Sequence, residues 1–216
     1  MRPALLLVLV GCGAELGPLT DEPAGLRPDA GRVQAQDAAI ASPDAPAVVP
    51  DNACGTAREH GNLGTIAGQA RSALQEGSTT NRVGSISAVI PPTATQGSPD
   101  WVMVELWDDY GAFAGAPVRT GTFQLTGGET DYDTCGICVL QMADVANNTP
   151  AKLLLATSGT VTVTSVGRGA GEATQVTISN ASFVEIVADP TNGGYQAVAG
   201  STCTSPISAA TMSGTI

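Results

Sequence analysis

Basic residues are scarce in this chain: 9 lysines and arginines stand against 20 acids for a net charge of -11, and Lys152 is the one lysine. Nucleic acid is therefore not an expected partner, because a polyphosphate needs a basic stripe to neutralise it. Charged residues of either sign make up only 13% of the chain, which argues against a helical bundle with a charge-studded surface. Histidine occurs once, as His60 beside Glu59. A lone imidazole there is expected at the surface rather than as a general base, and no paired-histidine zinc motif can exist. The sequence also lacks a phosphate-binding glycine loop and a serine elbow between glycines. No catalytic residue, metal or cofactor is expected. The apolar run from Ala4 to Val10 has seven residues, too few for a permanent membrane-spanning helix.

What is there at the N-terminus is a targeting pattern: Arg2, the short apolar run, then Gly11 and Cys12. Leu9, Val10, Gly11 and Cys12 resemble the lipobox of bacterial lipoprotein precursors. The resemblance implies that residues 1–11 are a signal peptide, removed as the Cys12 sulfur is acylated, and that the protein is exported and held on a membrane of the cell envelope. A translation start upstream of Met1 would bring this short leader to the usual length of roughly 15–30 residues. Residues 12–52 follow as a tether. From Gly13 to Asn52 there are six prolines, nine alanines, seven acids and no aromatic residue, a composition that cannot offset the entropy of ordering it. The expected result is a disordered, self-repelling spacer.

From residue 53 to 216 the pattern changes to short apolar alternations separated by Gly, Pro, Asn and Asp. Strands are expected at Val83–Ile90, Trp101–Trp107, Gly121–Leu125, Ile137–Met142, Gly159–Val166, Gln175–Ile178 and Ser182–Val187. In Thr160, Val161, Thr162, Val163, Thr164 the period of two puts the valines on a core face and the threonines toward water. Pro91 and Pro92 end one strand, Asn192 and Gly193 suit a tight hairpin, and Ala67–Gln75 is the one stretch that could be a helix. The fold class expected is all-β: an antiparallel sandwich or jelly roll of about seven to nine strands.

Five cysteines are present. Assigning Cys12 to lipid leaves four for an oxidising compartment. Cys135 with Cys138 and Cys54 with Cys203 is the favoured pairing, since the second pair ties the domain's start to its end, although three pairings are possible from sequence alone. Cys135, Gly136, Ile137, Cys138 has redox-motif spacing, but it leads into a strand, where no helix dipole lowers a thiol's pKa. A four-cysteine zinc site usually repeats the close spacing, which this chain does not.

Three constellations could carry function. Trp107, Asp108, Asp109, Tyr110 and Phe113 place rings and acids in one loop, the makings of a sugar-binding platform. Glu129, Asp131 and Asp133 would share a face if extended, and with Asp108 and Asp109 could offer calcium oxygens, but without the spacing of a hand-type loop. Glu105 and Glu129 could meet as a glycosidase pair. The favoured expectation is a non-enzymatic binding or scaffolding domain of an envelope lipoprotein. Its expected partners are the membrane, through its lipid anchor, and envelope polysaccharide or another envelope protein. A carbohydrate-binding module and then a carboxylate-based glycoside hydrolase are the alternatives.

Overall fold

The computed structural model describes residues 50–51, 54–57, 59–72, 81–91, 99–191 and 194–216. The expected signal peptide, Cys12, nearly all of the tether, Pro92 and the Asn192, Gly193 pair lie outside them. The strands in chain order are β1 (Pro50–Asp51), β2 (Thr56–Ala57), β3 (Gly61–Ala67), β4 (Gln69–Ser72), β5 (Arg82–Val89), β6 (Trp101–Trp107), β7 (Gly121–Gln124), β8 (Ile137–Ala143), β9 (Lys152–Ser165), β10 (Ala173–Asp189), β11 (Gly194–Ala197) and β12 (Ile207–Thr215). Two short 3-10 turns, Gly111–Phe113 and Gly127–Thr130, interrupt them. β1 and β2 pair antiparallel as a separate two-stranded sheet, with Pro50 opposite Ala57 and Asp51 opposite Thr56.

The all-β expectation holds, but the two stacked layers of a sandwich or jelly roll are replaced by one ten-stranded mixed sheet curled into a half-barrel. Its order is β3-β12-β10-β9-β8-β6-β5-β4, with β7 added to β9 and β11 to β10. Pairing is antiparallel except between β3 and β12. The strands at the two ends of this order, β3 and β4, are consecutive in the chain. Gly68 alone joins them, and its N–H donates to Ser213 O at 2.9 Å. Curling follows from this connection, because one chain run must serve both ends of the sheet. Where β12 passes the joint there is no room for a side chain: a β-carbon on Gly214 would collide with Gly68 O and approach Ala70 N to 2.8 Å.

The expected helix at Ala67–Gln75 is a correction. Gln69–Ser72 form a strand against β5, with Ala70 and Ser72 buried and Gln69 exposed, so the period is two. The stretches Gln175–Ile178 and Ser182–Val187 are one strand, β10, carried through a bulge at Asn180, whose φ is 50°. Opposite that bulge, Gly159 lies so close to Ala181 that a β-carbon would come within 2.7 Å of its Cα. Bulges of this kind bend a strand, and here the change of neighbours coincides with them: β9 leaves β8 for β7, and β10 leaves β11 for β12.

The inner face carries the main core, including Ile86, Val104, Leu106, Phe113, Val139, Leu154, Val161, Ile178, Phe183 and Met212. Val161 and Val163 are in it, as the alternation with threonine requires. A second cluster of Met103, Leu140, Met142, Leu155 and Ile186 lies on the outer face beside Tyr132 and Tyr195. All seven residues of β8 are consequently buried, as expected for a strand packed on both faces.

Candidate functional site

The loop from Trp107 to Phe113 brings the expected residues together, but as a packed corner. Trp107 is buried against Cys135 and Cys138, with Tyr110 edge-on to it at 6.2 Å. Phe113 is fully buried, packed edge-to-face on Phe123 at 5.0 Å, with Arg119 lying over both rings. Asp108 Oδ1 accepts the Val118 N–H at 2.6 Å and faces Arg168 at 3.5 Å. Asp109 Oδ2 accepts from Asn81 Nδ2 at 3.4 Å. The rings thus form no flat exposed row, and these contacts hold the corner.

The acids are likewise engaged. Glu129, 4% exposed, accepts the N–H groups of Ala112, Gly136 (3.2 Å) and Ile137 (2.7 Å). Glu105, 1% exposed, meets Arg82 at 3.3 Å and the Tyr132 hydroxyl at 3.0 Å. Burial, and secondarily the Glu105 charge, holds the Tyr132 hydroxyl well above its ordinary pKa. Asp131 Oδ1 accepts the Asp133 N–H (2.9 Å) and Asp133 Oδ2 accepts the Tyr195 N–H (3.1 Å). Because Gly127–Thr130 turn instead of extending, Glu129, Asp131 and Asp133 do not share a face. Among the described residues no three His, Cys, Asp or Glu side chains are placed to hold a metal ion together.

The cysteines pair as the sequence favours, Cys54 with Cys203 and Cys135 with Cys138, with Cα–Cα distances of 5.3 and 5.4 Å. Lys152 Nζ reaches both Glu185 (3.3 Å) and the Cys203 sulfur (3.5 Å). His60 corrects the expectation of a surface residue. It is 6% exposed, its Nε2 lies 3.0 Å from Thr56 Oγ1, and burial lowers its pKa to about 4. The His60 N–H donates to Pro206 O, so the residue fastens the start of the domain to its C-terminal segment.

A surface that the loop and acid motifs did not point to is formed by the outer face of β7, β9, β10, β12 and β3. Strand register places Thr122, Thr162, Thr177, Thr211 and Thr65 in one rung across five strands. Beside it runs a second rung, Gln124, Thr160, Ser179, Ala209 and Asn62. None of these ten residues is charged, and none is buried. Hydroxyls bridge strands between Thr122 and Thr162 (3.0 Å) and between Thr177 and Thr211 (3.1 Å), and Thr160 donates to Gln124 Oε1 (3.1 Å). Neighbouring strands lie about 4.8 Å apart and alternate residues roughly 6.8 Å apart. The face is therefore a regular array of donors, acceptors and methyl groups. Against protein-family models, curated proteins and solved structures the chain shows no match.

Proposed function

We propose that this chain is an exported, membrane-anchored lipoprotein whose β domain is a non-catalytic binding module. In this reading its threonine-rich face holds a neutral, hydroxyl-rich polymer of the cell envelope. The observation that carries the reading is the five-strand rung of threonines in register. In a chain of net charge -11, both rungs are free of charge, so a neutral polymer meets neither repulsion nor charges that it must desolvate without compensation. Threonine also suits a solvent-facing sheet for its β propensity and cross-strand pairing. A purely structural face would tolerate a charge at its centre, whereas a binding face would not. The anchor rests on the lipobox resemblance at Cys12, and the tether gives the domain reach from the membrane.

Two measurements test the parts separately. Metabolic labelling with a clickable fatty acid is expected to mark the wild-type protein and not Cys12→Ser; label persisting in the variant contradicts the anchor. Co-sedimentation of the folded domain with insoluble neutral envelope polysaccharide is expected, with at least tenfold weaker retention for Thr177→Glu at an unchanged melting temperature. Equal retention of the two proteins contradicts the binding face.

A further inference from the structure

At the other end of β10 from the threonine rungs, and independent of them, the outer face carries a pair of tyrosines. The chain has three tyrosines. Tyr132 and Tyr195 pack edge-to-face with ring centroids 4.8 Å apart, as favourable ring pairs do, whereas the ring beside Tyr110 is that of Trp107, at 6.2 Å. Both members of the pair are half-buried, so an oxidant in solution meets ring surface. Backbone contacts hold them together. The Tyr195 N–H donates to Asp133 Oδ2 at 3.1 Å, and Asp131 in turn accepts the N–H groups of Asp133 and Cys135, each at 2.9 Å. The loop that carries one ring thus grips the strand that carries the other.

A proton acceptor stands at the same place. The Tyr132 hydroxyl donates to Glu105 Oε2 at 3.0 Å, and Arg82 holds Glu105 Oε1 at 3.3 Å. Burial, and after it the Glu105 charge, raises the pKa of Tyr195 as well as that of Tyr132, so both hydroxyl ends lie in the field of one carboxylate. A phenol gives up an electron far more readily when its proton leaves with it. For Tyr132 the group that takes this proton is already hydrogen-bonded to it.

We propose that Tyr132 and Tyr195 are an oxidative cross-linking site, joined as dityrosine when hydrogen peroxide, acting through a haem peroxidase, oxidises both. Each ring loses one electron and its hydroxyl proton. The Tyr132 proton passes to Glu105 Oε2 and on to water, and the Tyr195 proton passes to water directly. The two phenoxyl radicals couple through a new C–C bond between carbons ortho to their oxygens, as the half-exposed Tyr195 ring turns about its side-chain bonds toward the plane of Tyr132. The hydrogen on each joined carbon then moves as a proton to the oxygen of its own ring, which restores both phenols. Peroxide takes up the two electrons and two protons. The sum is two tyrosines plus hydrogen peroxide giving one dityrosine plus two waters. The bond fastens β11, which pairs with β10 at the edge of the sheet, to the loop that leads into the Cys135–Cys138 disulfide.

The test is to treat the wild-type protein with a haem peroxidase and stoichiometric hydrogen peroxide, at a dilution where chains seldom meet. The monomer is expected to lose the mass of two hydrogens and to gain blue dityrosine fluorescence. After reduction, alkylation and tryptic digestion, the peptide Thr120–Lys152 should be joined to Gly169–Ile216, while Val83–Arg119, which holds Tyr110, stays single. Tyr110→Phe is expected to keep the cross-link and Tyr195→Phe to lose it. An unchanged monomer mass overturns the proposal, as does a bond that includes Tyr110, one that persists in Tyr195→Phe, or coupling between chains in place of the internal bond. Because the wild-type peptide map carries the test, a variant that fails to fold does not weaken it.

Discussion

At the scale of single residues, the buried titratable groups show how this domain meets the cost of taking polar groups out of water. Glu129 meets it by accepting three backbone N–H groups, and Glu105 by meeting Arg82 and Tyr132. His60 meets it by staying neutral, with a pKa of about 4 against an ordinary 6.5. Below pH 6.5 the unfolded chain takes up a proton that the folded chain refuses. Stability therefore falls as the pH drops from about 6.5 to about 4 and loses nothing further from this group below that. The gap corresponds to about 3 kcal/mol. Asp100 acts with the opposite sign, because burial raises its pKa and acid then favours the folded form. The His60 contribution is thus read from the difference between wild type and His60→Gln in urea unfolding at pH 7 and pH 4. The variant is expected to lose less stability on acidification. Equal losses would mean that His60 titrates normally in the folded protein.

At the scale of elements, the tightest constraint is the crossing of β12 over the joint between β3 and β4. Gly214→Val places a branched side chain against the backbone of Gly68 and Ala70, and overpacking of this kind costs about 1–3 kcal/mol. Thr215→Val, at an exposed position one residue on, is the control. A lower melting temperature for the first variant and no change for the second is expected; equal melting temperatures would mean that the sheet ends are not held together at Gly68. How much of this was legible in sequence varies by element. The Thr160–Thr164 alternation announced β9, and Trp101–Trp107 was readable to the residue, because local period and burial agree there. Ala70 and Ser72 suggested a helix since they sit in an alanine-bearing run without β-branched residues, and only the pairing with β5 decides otherwise. The β12 strand escaped notice because Ile207, Ala210 and Met212 are its buried positions, and their uneven spacing breaks the period of two. Trp107 and Phe113 looked available for ligand, whereas a core large enough to swallow both rings is a tertiary property. The threonine rung was invisible for the same reason: Thr65, Thr122, Thr162, Thr177 and Thr211 come together only through register between strands far apart in the chain.

At the scale of the whole molecule, the two disulfides should differ in weight. The loop closed by Cys54 and Cys203 separates residues 149 apart, against 3 for Cys135 and Cys138. Loop-closure entropy assigns about 5 kcal/mol to the first and about 2 kcal/mol to the second. Replacing the long-range pair by alanines is expected to lower the melting temperature more than replacing the close pair does. The reverse order would show that Cys135–Cys138, packed against Trp107, acts mainly through the native packing. Charge is also distributed at this scale: the strand acids Glu105 and Glu185 are paired with Arg82 and Lys152, while neither rung of the threonine face carries a charge. On the proposed reading, that absence of charge is what suits the face to a neutral polymer. The most direct measurement is a methyl-resolved NMR titration of the folded domain with a soluble fragment of neutral envelope polysaccharide. The account predicts perturbed threonine methyl signals at Thr65, Thr122, Thr162, Thr177 and Thr211, with the corner from Trp107 to Phe113 unchanged. Perturbation confined to that corner, or none at saturating polymer, would contradict it.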